Sequence, residues 1–143
     1  MTASPEACAA VVMDAAALVV RLLRAEIRRT RPGSLSLNQV RALGCLKRSP
    51  DSTLSTVAEY IGLTLPSASH LADGLVRHGF VARRRAEDDR RCIMLRLTQR
   101  GERTLELAYR ITREHLTEKL APLNSAQRSL VTESMKLIRP LVA

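Results

Sequence analysis

Residues 76 to 103 constrain the fold of this chain more than any other segment. They contain nine arginines and four acidic residues, and therefore carry five of the nine formal positive charges of the 143-residue chain. Apolar and polar side chains alternate on both sides of a charged centre at residues 86–91, as they do in β-strands. This pattern predicts a basic β-hairpin with strands at residues 80–85 and 92–98.

Two short amphipathic helices are expected directly before the hairpin. Ser55 is placed to cap the first helix and Thr64 the second, with Gly62 in the tight turn between them and Gly79 at the end. Two helices joined by a short turn with glycine are typical of a helix-turn-helix, whose second helix enters the DNA major groove. Such a pair is also a common packing unit, so the adjacent basic hairpin is what favours the DNA-binding interpretation.

The remaining segments show apolar residues at helical spacing. Ser36 and Gln39 have the spacing of a capping box at the start of one of these helices. The sequence predicts four further helices, at residues 6–30, 36–48, 98–120 and 125–142. The expected fold is mainly α-helical with a small β-hairpin, in a single domain of residues 1–143.

Charge and composition restrict the partners and the location of the protein. An isoelectric point near 10.7 implies an anionic partner, with nucleic acid as the first candidate and a membrane surface as the second. Residues 7–20 are apolar apart from Asp14, but they are too few to span a bilayer. The first basic residue, Arg21, follows this apolar segment, whereas a signal peptide has basic residues before it. We expect a soluble cytoplasmic protein.

Cysteine spacing and motif content exclude several other classes of protein. The three cysteines are widely separated and form no CxxC pair, which suits a reducing cytoplasm, and the histidines do not lie at ligand spacing from them. We therefore predict no metal site and no cofactor. A glycine-rich phosphate loop, a carboxylate pair and a nucleophile elbow are all missing from the sequence, so the chain is not expected to be an enzyme. The residues concerned are Cys8, Cys45, Cys92, His70, His78 and His115.

The second short helix has a polar face that is the candidate for reading bases. Serine hydroxyls and a histidine ring bond either phosphates or base edges, although none of them makes the bidentate contacts that discriminate most strongly between bases. Asp73 lies on the same polar face. The predicted contact residues of this helix are Pro66, Ser67, Ser69 and His70.

The hairpin supplies the second set of candidate contacts. Asp89 and Arg91 are two residues apart near its centre, so the carboxylate is expected to brace the guanidinium and direct it into a minor groove. Four other arginines, Arg83, Arg84, Arg85 and Arg90, are expected to lie along phosphates. The alternative is an edge hairpin whose charges only prevent strand-to-strand aggregation.

Three motifs in these segments resemble the MarR family of bacterial transcription regulators. They are "LSLNQVRAL" at the second helix, "L-x-D-x-L-x-x-x-G-x-V-x-R" from residue 71 to 83, and "D-R-R-x-x-x-L-x-L-T-x-x-G" from residue 89 to 101. The whole chain fits the family, which flanks a winged helix-turn-helix with one N-terminal helix and two C-terminal helices. His70 stands where the family often has arginine, and Gly74 replaces a usual polar or basic residue.

The resemblance implies a homodimeric repressor that binds a pseudo-palindromic operator. It places a DNA-binding lobe at about residues 36–100 and the dimerisation helices at about 6–30 and 101–142, and it assigns the residues named above to groove reading and to the wing. Relatives also bind small aromatic or anionic ligands, or sense oxidants through cysteine. A redox role for one of the three cysteines, and a winged helix used only for protein contacts, are the alternatives.

Overall fold

The computed structural model describes residues 3–143 as six α-helices and one three-stranded antiparallel sheet. The strands lie in the order β1-β3-β2, and a short 3-10 turn at Pro32–Ser34 joins the first two helices. The predicted helical fold with a basic hairpin is thus confirmed. The helices are α1 Pro5–Thr30, α2 Leu37–Arg48, α3 Leu54–Ile61, α4 Leu65–Arg77, α5 Gln99–Leu120 and α6 Ser125–Val142, and the strands are β1 Ser52–Thr53, β2 Val81–Arg85 and β3 Ile93–Leu97.

Side-chain caps determine where the helices begin. The hydroxyl of Ser36 accepts a hydrogen bond from the Gln39 amide at 3.2 Å, and the Gln39 side chain accepts one from the Ser36 amide at 2.8 Å. This confirms the predicted capping box. Thr64 and Thr98 cap α4 and α5 as expected, because each hydroxyl accepts a hydrogen bond from the amide three residues later.

The predicted cap of α3 is wrong. Thr53 rather than Ser55 accepts the capping bond, from the Thr56 amide at 3.2 Å, so the helix begins at Leu54. The reason is the short strand β1, which pairs Ser52 with Leu95 and Thr53 with Met94 of β3. A two-residue strand has no recognisable alternation, and the sequence therefore gave no sign of it.

The hydrophobic core lies where α2, α3 and α4 meet the base of the hairpin and the first half of α5. It extends along the chain from Ile27 to Ala108. By contrast, α6 contains no buried residue. The core therefore holds the helix-turn-helix and the hairpin in one unit, with these largest fully buried side chains: Leu43, Leu46, Leu75, Leu105 and Val57.

A close backbone approach fixes the hairpin to α5. A side chain at Gly101 would collide with the carbonyl oxygen of Phe80, so only glycine fits in the first turn of α5. The Thr98 amide donates to the same carbonyl at 3.1 Å, and the Thr98 hydroxyl donates to the Gly79 carbonyl at 2.6 Å. The start of α5 is thereby locked to the base of the hairpin.

Candidate nucleic-acid interface

Packing of α4 against the core turns its polar face outward. Ala68, Ala72 and Leu75 are buried on the inner face. Of the four residues predicted to read bases, Pro66, Ser67 and His70 are exposed, whereas Ser69 is only half-exposed at the edge of that face.

Ser67 takes part in the cap of α4 and also faces solvent. Its amide donates to the Thr64 hydroxyl oxygen at 3.3 Å, and that hydroxyl donates to the Ser67 hydroxyl oxygen at 3.0 Å. Because the Ser67 oxygen acts as acceptor in this pair, its own hydrogen remains available to a phosphate or a base edge. The cap therefore fixes the position of one candidate contact.

The outward face of α4 extends further than the predicted contact residues. Pro66, His70, Asp73 and Arg77 are separated by four, three and four residues, so they form one stripe, and all four are exposed. Arg77 was not among the predicted contacts, although its helical spacing from His70 was a usable signal. Gly74 lies to one side of this stripe, and a side chain there would point toward the side chains of Gln39 and Arg77.

The hairpin, residues 81–97, is the wing of this fold, and its arginines are divided between its two faces. Arg83 pairs with Leu95 across the strands and Arg84 pairs with Met94, so the two arginines point in opposite directions. Arg83 forms an ion pair with Asp73 of α4. Of the three arginines of β2 predicted to lie along phosphates, Arg83 and Arg85 therefore lie on one face of the wing and Arg84 on the other.

The end of the wing is a tight turn organised by Asp89. The Asp89 carboxylate accepts a hydrogen bond from the Arg91 amide at 2.9 Å, and the Cys92 amide donates to the Asp89 carbonyl at 3.0 Å. The predicted contact between this carboxylate and the Arg91 guanidinium is thus replaced by a main-chain bond, because an aspartate at the start of a turn readily bonds the amide two residues on. The side chains of Arg90 and Arg91 are exposed at this turn.

A second ion pair holds the other face of the wing. Arg96 of β3 donates from Nε to the Asp51 carboxylate at 2.9 Å and also pairs through its terminal nitrogen. These hydrogen bonds hold the pKa of the Asp51 carboxyl below its usual value, and the positive charges of Arg96 and the nearby Arg84 lower it further. Asp51 has a φ of 60° in the corner before β1, a left-handed conformation that aspartate tolerates better than most residues.

Arg41 of α2 steadies the turn between α3 and α4. Its guanidinium donates to the carbonyls of Ile61 at 3.1 Å and Tyr60 at 3.3 Å, near the end of α3. The guanidinium of Arg48 lies 4.7 Å from the centre of the Tyr60 ring. Arg41 thus bonds carbonyl groups at the C-terminal end of α3, and Arg48 covers the Tyr60 ring. Together these contacts fix the position from which α4 starts.

A buried carboxylate lies between α1 and α5. Glu26 is only 5% exposed, and its two oxygens accept hydrogen bonds from Arg29 at 2.6 and 3.2 Å. Nδ1 of His115 on α5 lies 3.6 Å from the same carboxylate. The Arg29 hydrogen bonds hold the pKa of Glu26 below its usual value, and so favour its charged form.

A cleft of about 530 Å³ opens where the end of α1 meets the start of α2. Three arginines line it, and none of the three forms an ion pair within residues 3–143. Polar and apolar groups both contribute to its walls. The lining residues are Arg24, Ile27, Arg28, Arg31, Ser34, Leu35, Ser36, Leu37, Asn38 and Gln39.

Comparison with known proteins identifies the family. The model of the MarR family matches residues 35–93, from the start of α2 into the wing. An uncharacterized HTH-type transcriptional regulator of Mycobacterium leprae is 31% identical over 130 residues, which are 90% of each chain. The chain belongs to the MarR family. It is therefore a transcriptional regulator with a DNA-binding winged helix, and not an enzyme.

One further relative and two solved structures are similar to this chain. An uncharacterized HTH-type regulator of Bacillus subtilis is 27% identical over 104 residues, which are 73% of this chain and 65% of that relative's length. The crystal structure of MarR has a TM-score of 0.80 at 19% identity, covering 92% of this chain and 96% of the other. Streptococcus pneumoniae FabT in complex with DNA has a TM-score of 0.69 at 19% identity and 97% coverage of both chains. These solved structures confirm the fold.

This MarR-family regulator shows neither a membrane-spanning helix nor a metal-binding cluster in residues 3–143. Within residues 3–143, none of the helices combines the length and the apolar character that crossing a bilayer requires. In the same part of the chain, histidine, cysteine and acidic side chains form no group of three or more that could hold a metal ion.

Proposed function

We propose that this MarR-family regulator is a cytoplasmic homodimeric repressor that binds a pseudo-palindromic operator and is released by a small anionic molecule. The observation that carries the proposal is the joint exposure of the α4 stripe and the arginine-rich wing turn. A helix for the major groove and a basic turn for the adjacent minor groove are the two parts that a winged helix needs to hold DNA.

The proposed base-reading residues are those of the outward face of α4. Pro66, Ser67 and His70 are exposed there, and Ser69 lies at its edge. Arg84, Arg85, Arg90 and Arg91 are the proposed phosphate and minor-groove contacts, and Asp89 shapes the turn that presents them. Streptococcus pneumoniae FabT was solved with DNA, which supports the use of this fold for duplex binding.

Exposed apolar side chains on the terminal helices support the homodimer. On α6, Leu130, Leu137 and Leu141 are 69%, 74% and 83% exposed, and on α1 Val11 and Met13 are 69% and 71% exposed. A monomer would leave this apolar surface in water, whereas a second copy of the chain would cover it. We therefore propose one domain, with the DNA-binding lobe at about residues 36–100 and the dimerisation helices at about 6–30 and 101–142.

The arginine-lined cleft supports regulation by an anion. Arg24, Arg28 and Arg31 bring three positive charges to the junction between the dimerisation helices and the lobe. A carboxylate or a similar anion would be attracted there, and apolar walls such as Ile27 and Leu35 would accept a small ring. Binding at this junction would alter the spacing of the two reading helices in a dimer.

The alternatives have less support. The Cys45 thiol is buried, and burial raises its pKa, which disfavours the reactive thiolate that a redox sensor needs. Cys8 is exposed and Cys92 is half-buried. Equal release of operator DNA by peroxide from the wild type and from Cys8→Ser would exclude Cys8 as the sensor. A module used only for protein contacts has no need of the exposed arginines at the wing turn.

The test is selection of bound duplexes from a random pool, followed by binding measurements over a range of salt concentrations. We expect half-sites about 10 bp apart from centre to centre, one turn of the double helix. Arg91→Ala should weaken binding to all duplex sequences and lower the slope of log K against log salt by about one for each wing. Arg113→Ala removes an exposed positive charge from α5, away from the wing, and is the matched control, for which the salt slope should stay unchanged.

Two results would contradict the proposal. A single asymmetric half-site in the footprint would argue against a symmetric dimer on DNA. Unchanged affinity and unchanged salt slope in Arg91→Ala would exclude the minor-groove role of the wing turn.

A further inference from the structure

Two ion pairs hold the wing, one on each face. On one face, Arg83 of β2 pairs with Asp73 of α4. On the other, Arg96 of β3 pairs with Asp51 in the corner before β1. The first pair joins the wing to α4, and the second joins it to the segment between α2 and β1.

Asp73 occupies a position where a negative charge needs an explanation. It lies on the same exposed stripe of α4 as Pro66 and His70, the face proposed to enter the major groove. An unpaired carboxylate there would repel phosphates and lower affinity. The ion pair with Arg83 neutralises the charge of Asp73, and this arginine lies on the wing rather than on α4.

Protein stability alone gives little reason for these contacts. The side chains of Asp73 and Arg83 are 52% and 42% exposed, and ion pairs exposed to this degree contribute little to the free energy of folding. A role in setting the angle of the wing requires more precise positions of these side chains than a contribution to folding does. From Arg83 to the wing turn the chain extends by roughly 13 Å, so a rotation of about 10° would move the turn by about 2 Å. A shift of that size is enough to break a hydrogen bond.

We infer that Asp73 and Arg83 are positioning residues that fix the angle between the wing and the reading helix, and that Arg83 is not itself a phosphate contact. The Asp51–Arg96 pair limits the same rotation from the opposite face. With the angle fixed, Arg90 and Arg91 at the wing turn reach a minor groove when α4 occupies the adjacent major groove. This inference rests on the DNA-binding function proposed above.

The sign of the effect of Asp73→Ala tests the inference. Charge alone predicts that removing an acid near DNA tightens binding, whereas loss of the positioning contact should weaken operator binding by about fivefold or more. Arg83→Ala should cause a loss of similar size with an unchanged salt slope. The double variant should be no weaker than either single variant, because both remove one shared contact. Asp73→Glu, which keeps the charge, should restore part of the affinity.

Arg84→Ala is the matched control. Arg84 is adjacent to Arg83 in β2, but it points to the opposite face and has no hydrogen-bonded or ion-pair partner in the described part of the chain. Its loss should lower the salt slope by about one per wing. Its effect should also add to that of Asp73→Ala, because the two residues share no contact.

The outcomes separate this inference from the proposed function. If the wild-type protein selects no duplex, the DNA-binding proposal fails first. If the wild type binds an operator but Asp73→Ala binds as well or more tightly, the positioning role is overturned. A reduced salt slope in Arg83→Ala would make Arg83 a phosphate contact, and additive losses in the double variant would show that Asp73 and Arg83 act independently; either result overturns the positioning role.

The pair on the other face has its own check. Asp51→Asn keeps a residue that tolerates a positive φ but removes the charge that holds Arg96. We expect weaker operator binding and reduced protection of the minor groove in a hydroxyl-radical footprint, with protection of the major groove retained. Unchanged minor-groove protection would show that Asp51 and Arg96 do not position the wing.

Discussion

The lobe and the terminal helices use similar apolar residues in opposite ways. In the lobe, leucines such as Leu43 and Leu75 are 0% and 2% exposed, and they pack around one continuous core. On α6, Leu137 and Leu141 are 74% and 83% exposed. The chain therefore completes the interior of the lobe by itself and leaves the surface of its terminal helices uncovered.

This difference separates folding from assembly. Burial of apolar side chains supplies most of the stability of a folded domain, so substitutions in the lobe core should act on folding. Side chains that are exposed in one chain contribute almost nothing to its folding, and should act only when a second copy covers them. The same chemical change is thus expected to have different consequences in the two regions.

The largest expected effect comes from a charge on α6. Leu137→Glu should convert the proposed dimer to monomers, because it would place a carboxylate inside the proposed apolar interface. Operator affinity should fall by about a hundredfold or more, since each half-site would then be bound separately. Sedimentation velocity would give the oligomeric state and fluorescence anisotropy the affinity.

Ser129→Glu is the control for this change. Ser129 is exposed on the polar side of α6, so a new carboxylate there should leave the dimer and the operator affinity intact. If Leu137→Glu remained a dimer with normal affinity, the exposed leucines of α6 would not be the interface, and the contrast between the two regions would lose its explanation.

The second prediction compares the same substitution in both regions. Leu43→Ala should lower the free energy of unfolding by about 2–5 kcal/mol, because it leaves a cavity in a fully buried site. Leu141→Ala should instead weaken dimerisation while the lobe remains folded. Urea unfolding at several protein concentrations separates the two effects, since only dimer dissociation depends on concentration. Equal losses of lobe stability in Leu43→Ala and Leu141→Ala would contradict the proposed difference between the lobe and the terminal helices.

How far the sequence predicted the structure differs between local and long-range features. The capping box at Ser36 and the glycine turn at Gly62 involve neighbouring residues, and both were read correctly. The strand β1 and its pairing with Leu95 were missed, because two residues carry no periodic signal and the partner lies more than forty residues away. The residue that caps α3 differs for the same reason, being Thr53 rather than the predicted Ser55.

The candidate site shows the same limit. Helical spacing in the sequence predicted the exposed face of α4, and the cluster of arginines predicted the basic wing. The partners of individual charges did not follow, because an ion pair such as Asp51–Arg96 depends on how separate elements pack. The division of Arg83 and Arg84 between two faces was available from strand alternation, whereas the pairing of Arg83 with Asp73 required the structure.

The smallest expected effect lies at the junction of the two regions, where the arginine-lined cleft should bind an effector. Salicylate is a suitable probe, because it combines a carboxylate with a small ring. Arg28→Gln should weaken salicylate binding by about tenfold, because a charge-assisted hydrogen bond is lost, and should leave operator affinity without salicylate unchanged.

The control is Arg110→Gln, which changes an exposed arginine on α5 outside the cleft. Titration calorimetry would give the affinity, and release of labelled operator would show whether binding is transmitted to the lobe. Equal salicylate binding by the wild type and Arg28→Gln would show that salicylate binds at another site. Binding without release would show that the cleft is occupied without coupling the terminal helices to the lobe.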